Sequence, residues 1–150
     1  MYRAVDIANW FIQRNLEFEC PIANLKVQKL LYYAQGFYLA LHNEKLFEEE
    51  LKFWEQGPVV EEVFHALKHN ESGPVQSLIQ AANLPKEDGS YGFDEDLKSL
   101  LEEIQEIYGQ YSPWRLKEMT HDERPCKKAM GSSEPICTDS MKEFFENYIH

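Results

Sequence analysis

The sequence has few cysteines. The three thiols are Cys20, Cys126 and Cys137, an odd number without any CxxC spacing. A disulfide framework needs paired cysteines, and a structural zinc site needs closely spaced ligands. We therefore expect reduced thiols, no structural zinc and a cytoplasmic setting.

Long apolar runs are also missing. No stretch approaches the ~20 uninterrupted apolar residues that a membrane helix requires. The first residues, MYRAVDIANWF, lack the charged region followed by an apolar run that is typical of a secretory leader. We expect a soluble protein that neither spans nor binds a membrane.

Positive charge is scarce. The chain has 15 Lys and Arg against 26 Asp and Glu, which gives a net charge of −11 with His neutral. Affinity for nucleic acids comes largely from Lys and Arg that neutralise phosphates, so this composition disfavours DNA, RNA and anionic membranes as partners. A basic protein partner fits the charge, although solubility alone also explains it.

Motifs of catalysis and cofactor binding are absent as well. No GxGxxG, GK[ST] or GxSxG sequence occurs, and Cys126 with His121 is a generic nucleophile and base pair. Glu61, His65 and His69 have helical spacing suited to a metal, but the HExxH arrangement is missing. We predict no cofactor, no metal and no catalysis, and keep a metal-dependent enzyme using these three residues as an alternative.

The clearest feature present is a helical pattern over residues 25–41, LKVQKLLYYAQGFYLAL. Leu25, Tyr32, Tyr33 and Leu39 lie outside the main stripe, so the helix is apolar nearly all round, which is typical of a helix enclosed by its neighbours. We expect this helix to be central and to begin after an Asn24 cap. Gly36 in its middle indicates a close backbone contact. The stripe itself is Val27, Leu30, Leu31, Ala34, Phe37, Tyr38 and Leu41.

Helical patterns also occur on both sides of this segment. The short apolar segments at 46–47 and 51–54 are compatible with a small β-ribbon, because 51–54 alternates as a half-buried strand does. Thr120 to Pro125 is predicted to be a polar loop. The chain is therefore predicted to be one mainly α domain, residues 1–150, with a central buried helix. Further helices are predicted at 4–15, after Gly57-Pro58, at 75–82, after Asp94, after Ser112-Pro113 and from Thr138 onward.

Three sequence blocks resemble the Panacea-domain antitoxins, also called SocA-like and often named phage-associated proteins. The first block is LKxQKLLYYAQG at 25–36, the second is LF at 46–47 followed by WxxGPVV at 54–60, and the third is LxxMTHxxxP at 116–125. Ala23 stands where the family usually has Thr or Ser, Lys45 where it has Pro, and Cys126 where it has Trp.

The resemblance implies a cytoplasmic antitoxin of a toxin–antitoxin or phage-associated module. Such a domain is expected to bind a cognate protein toxin, the product of an adjacent gene, and to neutralise it without catalysis; a homo-oligomer is compatible with this role. The polar residues of the first block are expected to form a buried network with Tyr32 or Tyr33 and His121, or, less favoured, to mark a pocket. The candidate partner-binding residues are Lys26, Gln28, Lys29, Tyr32, Tyr33, Gln35, Trp54, Gly57, Pro58, Val59, His121 and Pro125.

Two other functions are compatible with the sequence. A phage-encoded interaction protein would have the same features, and a small winged-helix-like transcription regulator would combine helices with a short ribbon. The regulator requires clustered Lys and Arg, whereas Lys26 and Lys29 have only Lys45 and Lys52 nearby.

Overall fold

A computed structural model of the protein describes residues 1–70, 73–80 and 91–149. Its longest helix, α2 (Asn24–His42), has 13 of its 19 residues buried. Five other helices and one strand pack against α2. A helix that is apolar nearly all round exposes the least apolar surface to water when its neighbours enclose it in this way. The predicted central helix is confirmed.

The described residues are mainly α-helical, as predicted. The elements in chain order are α1 (Ala4–Glu17), α2 (Asn24–His42), β1 (Lys52–Trp54), β2 (Gly57–Val59), α3 (Glu61–Leu67) with a 3-10 turn (Lys68–Asn70), α4 (Glu95–Tyr108), α5 (Pro113–His121), α6 (Arg124–Ala129) and α7 (Thr138–Glu146). None of the helices in the described ranges is both long and apolar enough to cross a membrane.

The predicted capping of α2 is wrong. Ala23 occupies the N-cap position without a side-chain bond, and Asn24 is already helical. The Asn24 side chain instead accepts a hydrogen bond from Gln28 Nε2 at 2.9 Å and donates one to the Phe64 carbonyl at 3.1 Å. The oxygen that would cap the helix is thus bonded within α2, and the amide nitrogen joins α2 to α3.

The short ribbon exists, but its second strand differs from the one expected. β1 pairs antiparallel with β2, so that Lys52 lies opposite Val59 and Trp54 opposite Gly57. Gly57 adopts φ +110°, a backbone angle that side-chain-bearing residues rarely reach. The segment at 46–47 lies elsewhere, where Phe47 forms an isolated bridge with Tyr2.

Two predicted helix starts have the expected chemistry. The Asp94 side chain accepts a hydrogen bond from Leu97 N at 2.8 Å and caps α4. Ser112 Oγ accepts one from Arg115 N at 3.1 Å and caps α5, whose first residue is Pro113. Local capping groups fix these starts, which is why the sequence reveals them.

Two other predictions need correction. Residues 73–80 contain no helix. Val75 N donates to the Ile22 carbonyl and Ile79 N donates to Asn9 Oδ1, instead of to carbonyls one helical turn earlier. Ala82, which belonged to the same predicted helix, lies outside the described residues. The expected polar loop at 120–125 is shorter, since α5 continues to His121 and α6 begins at Arg124. α1 also extends two residues beyond the predicted 4–15.

Candidate functional site

One glutamine of α2 holds a distant stretch of backbone. Gln35 Oε1 accepts hydrogen bonds from Leu46 N at 2.7 Å and Phe47 N at 3.4 Å, and its Nε2 donates to the Phe47 carbonyl at 2.9 Å. Leu46 and Phe47 are both buried, so these bonds satisfy backbone groups that would otherwise be costly to enclose. Gln35 therefore fixes the segment that precedes the ribbon.

Two more polar residues of α2 tie it to neighbouring elements. Gln28 Oε1 accepts a hydrogen bond from Val60 N at 2.8 Å, where the chain leaves the ribbon and enters α3. Lys26 Nζ donates to the Gly109 carbonyl at 2.6 Å, at the end of α4. The charged and amide groups of the first block thus bind backbone atoms of other elements.

Lys29 lies beneath the ribbon with only 1% of its surface exposed. Its Nζ donates to the Pro58 carbonyl at 3.2 Å, and its Cε would lie 2.9 Å from a Cβ built on Gly57. The absence of a side chain at Gly57 therefore leaves room for the lysine. Burial lowers the pKa of Lys29 to about 7. Cys126 raises this pKa by a smaller amount, and Lys117 lowers it slightly further.

A second polar contact lies one turn further along α2. Tyr33 Oη donates to Glu123 Oε2 at 2.8 Å, and the Tyr33 ring stacks on Tyr108 with 3.8 Å between centroids. Burial raises the pKa of Glu123 to about 7, and the hydrogen bond from Tyr33 opposes this rise. Within the described residues, Glu123 Oε1 and Tyr32 Oη have no hydrogen-bond partner of good geometry.

The network expected between the polar residues of the first block, the tyrosines and His121 does not form, because those polar groups bond to backbone atoms and Tyr33 bonds to Glu123. His121 is not bonded to either tyrosine, because its Nδ1 lies 2.7 Å from the Lys117 carbonyl and its ring contacts Phe53 with 5.0 Å between centroids. Glu123, and not His121, is the hydrogen-bond partner of Tyr33. Sequence reasoning missed Glu123 because one carboxylate among 26 acidic residues carries no distinguishing pattern, although it stands two residues before Pro125 in the third block.

Cys126 and its neighbour Pro125 are buried at the start of α6. Burial raises the pKa of the Cys126 thiol to about 12, so the thiol stays protonated at neutral pH and is a poor nucleophile. The generic pair with His121 is therefore not supported by the chemistry of this thiol.

The alternative metal site is not formed by the structure. His65 and His69 are both exposed on or after α3. In the ranges 1–70, 73–80 and 91–149, no three His, Cys, Asp or Glu side chains come together in a group that could hold a metal ion.

Five residues of the predicted set meet at one cavity. It has a volume of about 610 Å³ and opens beside the N-terminal end of α2, between the ribbon, α3 and the start of α5. Its walls are mostly apolar; Trp54 is partly exposed there and contacts Phe64 edge-on with 5.1 Å between centroids. We call this the signature cavity. Its lining includes Gln28, Lys29, Trp54, Gly57 and Val59 from the predicted set, and Leu25, Phe64 and Pro113 from outside it.

The remaining predicted residues do not line this cavity. Lys26, Tyr32, Tyr33 and Gln35 are buried along α2, where they join it to other elements or fill the core. Pro58, His121 and Pro125 also lie outside its lining. Nothing in the sequence marks Leu25 and Phe64 as cavity residues, because apolar side chains on helices usually belong to a core.

Comparison with known proteins shows the family of the chain. A family model described as antitoxin SocA-like, Panacea domain, matches residues 27–126, about two thirds of the chain. This chain belongs to the SocA-like Panacea-domain family. The matched stretch contains nearly all of the first block and the whole of the second and third blocks, so the predicted resemblance is confirmed.

A curated relative of this Panacea-domain chain is antitoxin SocA of Caulobacter vibrioides (strain NA1000 / CB15N). The two are 27% identical over 120 residues, which cover 77% of this chain and 63% of the relative. The chain thus spans less than two thirds of the length of that relative. No solved structure matches the chain.

Proposed function

We propose that residues 1–150 act as an antitoxin domain that binds a cognate protein toxin and neutralises it without catalysing a reaction. Membership of the SocA-like Panacea-domain family supports the antitoxin role. The observation that carries the binding role is the convergence of five signature residues on one open cavity.

In this proposal the signature residues divide into those that support the fold and those that contact the toxin. Gln35, Lys26 and Tyr33 are bonded to other parts of the chain and are buried, so they act by holding the framework. Trp54 differs from them because its ring is partly exposed at the mouth of the signature cavity. Partly exposed tryptophans beside apolar pockets are frequent hot spots of protein binding.

The proposed toxin is the product of an adjacent gene, and it contacts the mouth of the signature cavity. An apolar side chain of the toxin would enter the signature cavity beside Trp54 and Phe64, since the walls there are apolar and the bound group would be shielded from water. The net charge of −11 favours a basic toxin, because complementary charge speeds association.

Co-expression with the neighbouring gene product tests the proposal. We expect the chain to restore growth and to co-purify with the toxin. We expect Trp54→Ala to reduce the retained toxin by about tenfold or more, as loss of a central aromatic contact does.

Phe18→Ala is the matched control, because Phe18 is 57% exposed and does not line the signature cavity. Both variants should keep the helical circular dichroism spectrum of the parent protein. If the parent protein neither restores growth nor co-purifies with the toxin, the antitoxin proposal is contradicted. If the two variants retain equal amounts of toxin, only the proposed role of the signature cavity is contradicted.

A further inference from the structure

A second concave surface lies away from the signature cavity. It is a groove of about 420 Å³ between the C-terminal half of α2, α4 and the residues that follow α7. Leu41, Ile107 and Tyr148 surround it with exposed fractions of 49%, 50% and 58%. The groove is floored by Phe37 and Ile104, so its apolar surface continues into the core.

The convergence of these exposed side chains is unusual for a surface. Single exposed apolar residues are common, but contiguous apolar patches on a soluble protein generally mark binding sites. Three of the seven large exposed apolar side chains in the described residues belong to this one groove.

The borders of the groove are negatively charged. Glu103 lines it, and α4 contains five acidic residues and one lysine, which gives a helix charge of −4. Glu95 binds Lys98 at 3.1 Å and Glu102 binds Arg14 at 3.1 Å, whereas Glu103 and Glu106 have no salt bridge within the described residues. α7 adds three acidic residues and one lysine, a charge of −2.

We propose that this groove binds a basic amphipathic helix of a partner protein. Apolar anchors on one side of such a helix would cover Leu41, Ile107 and Tyr148, as in other helix-in-groove complexes. Lysines or arginines beside those anchors would lie near Glu103 and Glu106 and would gain from their unpaired charge. The groove contains none of the signature residues, so the inference goes beyond the proposed function and holds for any partner that carries such a helix.

A second copy of the chain fits this surface poorly. A two-fold symmetric contact would place the same groove, with its acidic borders, against itself. Each copy also carries a net charge of −11, which opposes association.

A synthetic helix tests the groove directly with the full chain. The probe is a fluorescent peptide of about 14 residues that contains only leucine and lysine, with leucine on one face. A peptide in which glutamate replaces lysine is the charge control. Fluorescence anisotropy at near-physiological salt should show saturable binding of the lysine peptide and none of the glutamate peptide.

Two pairs of variants assign the binding to the groove. Ile107→Ser should weaken binding by about tenfold, whereas Phe18→Ser, at an exposed site outside the groove, should leave it unchanged. Glu103→Lys should weaken it by about fivefold, whereas Glu62→Lys changes the net charge equally at another exposed site and should have little effect.

Several results would overturn the inference. They are failure of the lysine peptide to bind, equal effects within either pair of variants, and preference for the glutamate peptide. A stable dimer that Ile107→Ser dissociates would assign the groove to a second copy instead. Because the probe is synthetic, none of these results depends on the toxin, and failure of the antitoxin proposal would be seen separately in the co-expression experiment.

Discussion

Lys29 and Glu123 are ionisable groups that the protein largely encloses beside α2. Neither has an oppositely charged side chain within salt-bridge distance in the described residues; each is held by one neutral hydrogen-bond partner, the Pro58 carbonyl for Lys29 and the Tyr33 hydroxyl for Glu123. Burial penalises the charged form of both groups, so their pKa values approach 7 from opposite directions. Both groups therefore titrate in the neutral range.

The burial of Glu123 predicts that the free energy of unfolding changes with pH. Its pKa rises from 4.5 to about 7 on folding, so the favourable contribution is complete below pH 4.5 and is lost as the pH rises through 7. The loss amounts to about 3 kcal/mol, at 1.36 kcal/mol for each pKa unit. The contribution of Lys29 to the free energy of unfolding changes in the opposite direction and over a different pH range. Its pKa falls from 10.5 to about 7 on folding, so this contribution increases as the pH rises above 7.

Glu123→Gln should remove the decline between about pH 5 and pH 7 while keeping a hydrogen-bond acceptor for Tyr33. Urea unfolding of the parent protein and the variant across this range measures the difference in the free energy of unfolding. Glu118→Gln, at an exposed position on α5, is the control and should follow the parent protein. Parallel curves for the parent protein and Glu123→Gln would contradict the assignment.

At the scale of elements, the closest packing joins α2 to α7. The Phe145 ring lies directly on the backbone of Gly36, and a Cβ added at Gly36 would overlap that ring. Phe145 is 1% exposed and also contacts Tyr32 and Phe37. The close contact predicted from a glycine in mid-helix is confirmed, and its reason is that the aromatic ring needs the space of the missing side chain.

Gly36→Ala should destabilise the protein even though alanine favours helix. The gain in helix propensity is ~1 kcal/mol, whereas overpacking a buried ring costs ~1–3 kcal/mol or more. We expect a net loss of about 1–2 kcal/mol in the free energy of unfolding, measured by urea denaturation.

A double-mutant cycle with Phe145→Leu checks the cause. The smaller side chain leaves room for the new methyl group, so the double variant should be more stable than the sum of the two single effects predicts. Additive effects, or a more stable Gly36→Ala protein, would show that the ring moves aside without cost.

At the scale of the whole molecule, charge decides which partners are favoured. The net charge is −11, and two of the lysines considered for DNA contact are buried: Lys26 is 9% exposed and Lys29 is 1% exposed. Their ammonium groups donate to the carbonyls of Gly109 and Pro58 and are not available for phosphates. The structure thus weakens the regulator alternative for a reason that the sequence did not contain.

Duplex DNA should therefore not bind the chain at near-physiological salt. A gel-shift experiment with random duplex and with DNA from the promoter of its own gene region measures this, since phosphate contacts make any complex strongly dependent on salt. A complex that weakens steeply with added salt would favour the regulator, and replacement of Lys127 and Lys128 on α6, which are exposed, would then test where the DNA lies.

The sequence by itself determined the central helix, the mainly α architecture, the helix starts near Asp94 and at Ser112-Pro113, and the family. These features follow from interactions between residues close in the chain, or from blocks of fixed order, which a sequence displays directly.

Only the tertiary structure decided which partners the polar groups have and where the open surfaces lie. Gln28 binds the backbone at Val60 and Tyr33 binds Glu123, 32 and 90 residues away, and the unexpected pairing of β1 with β2 placed Lys29 beneath Gly57. Backbone groups carry no residue-specific signal, and a buried carboxylate looks like an exposed one in a sequence. Those contacts, and with them the signature cavity and the acidic groove, exist only once distant elements have packed.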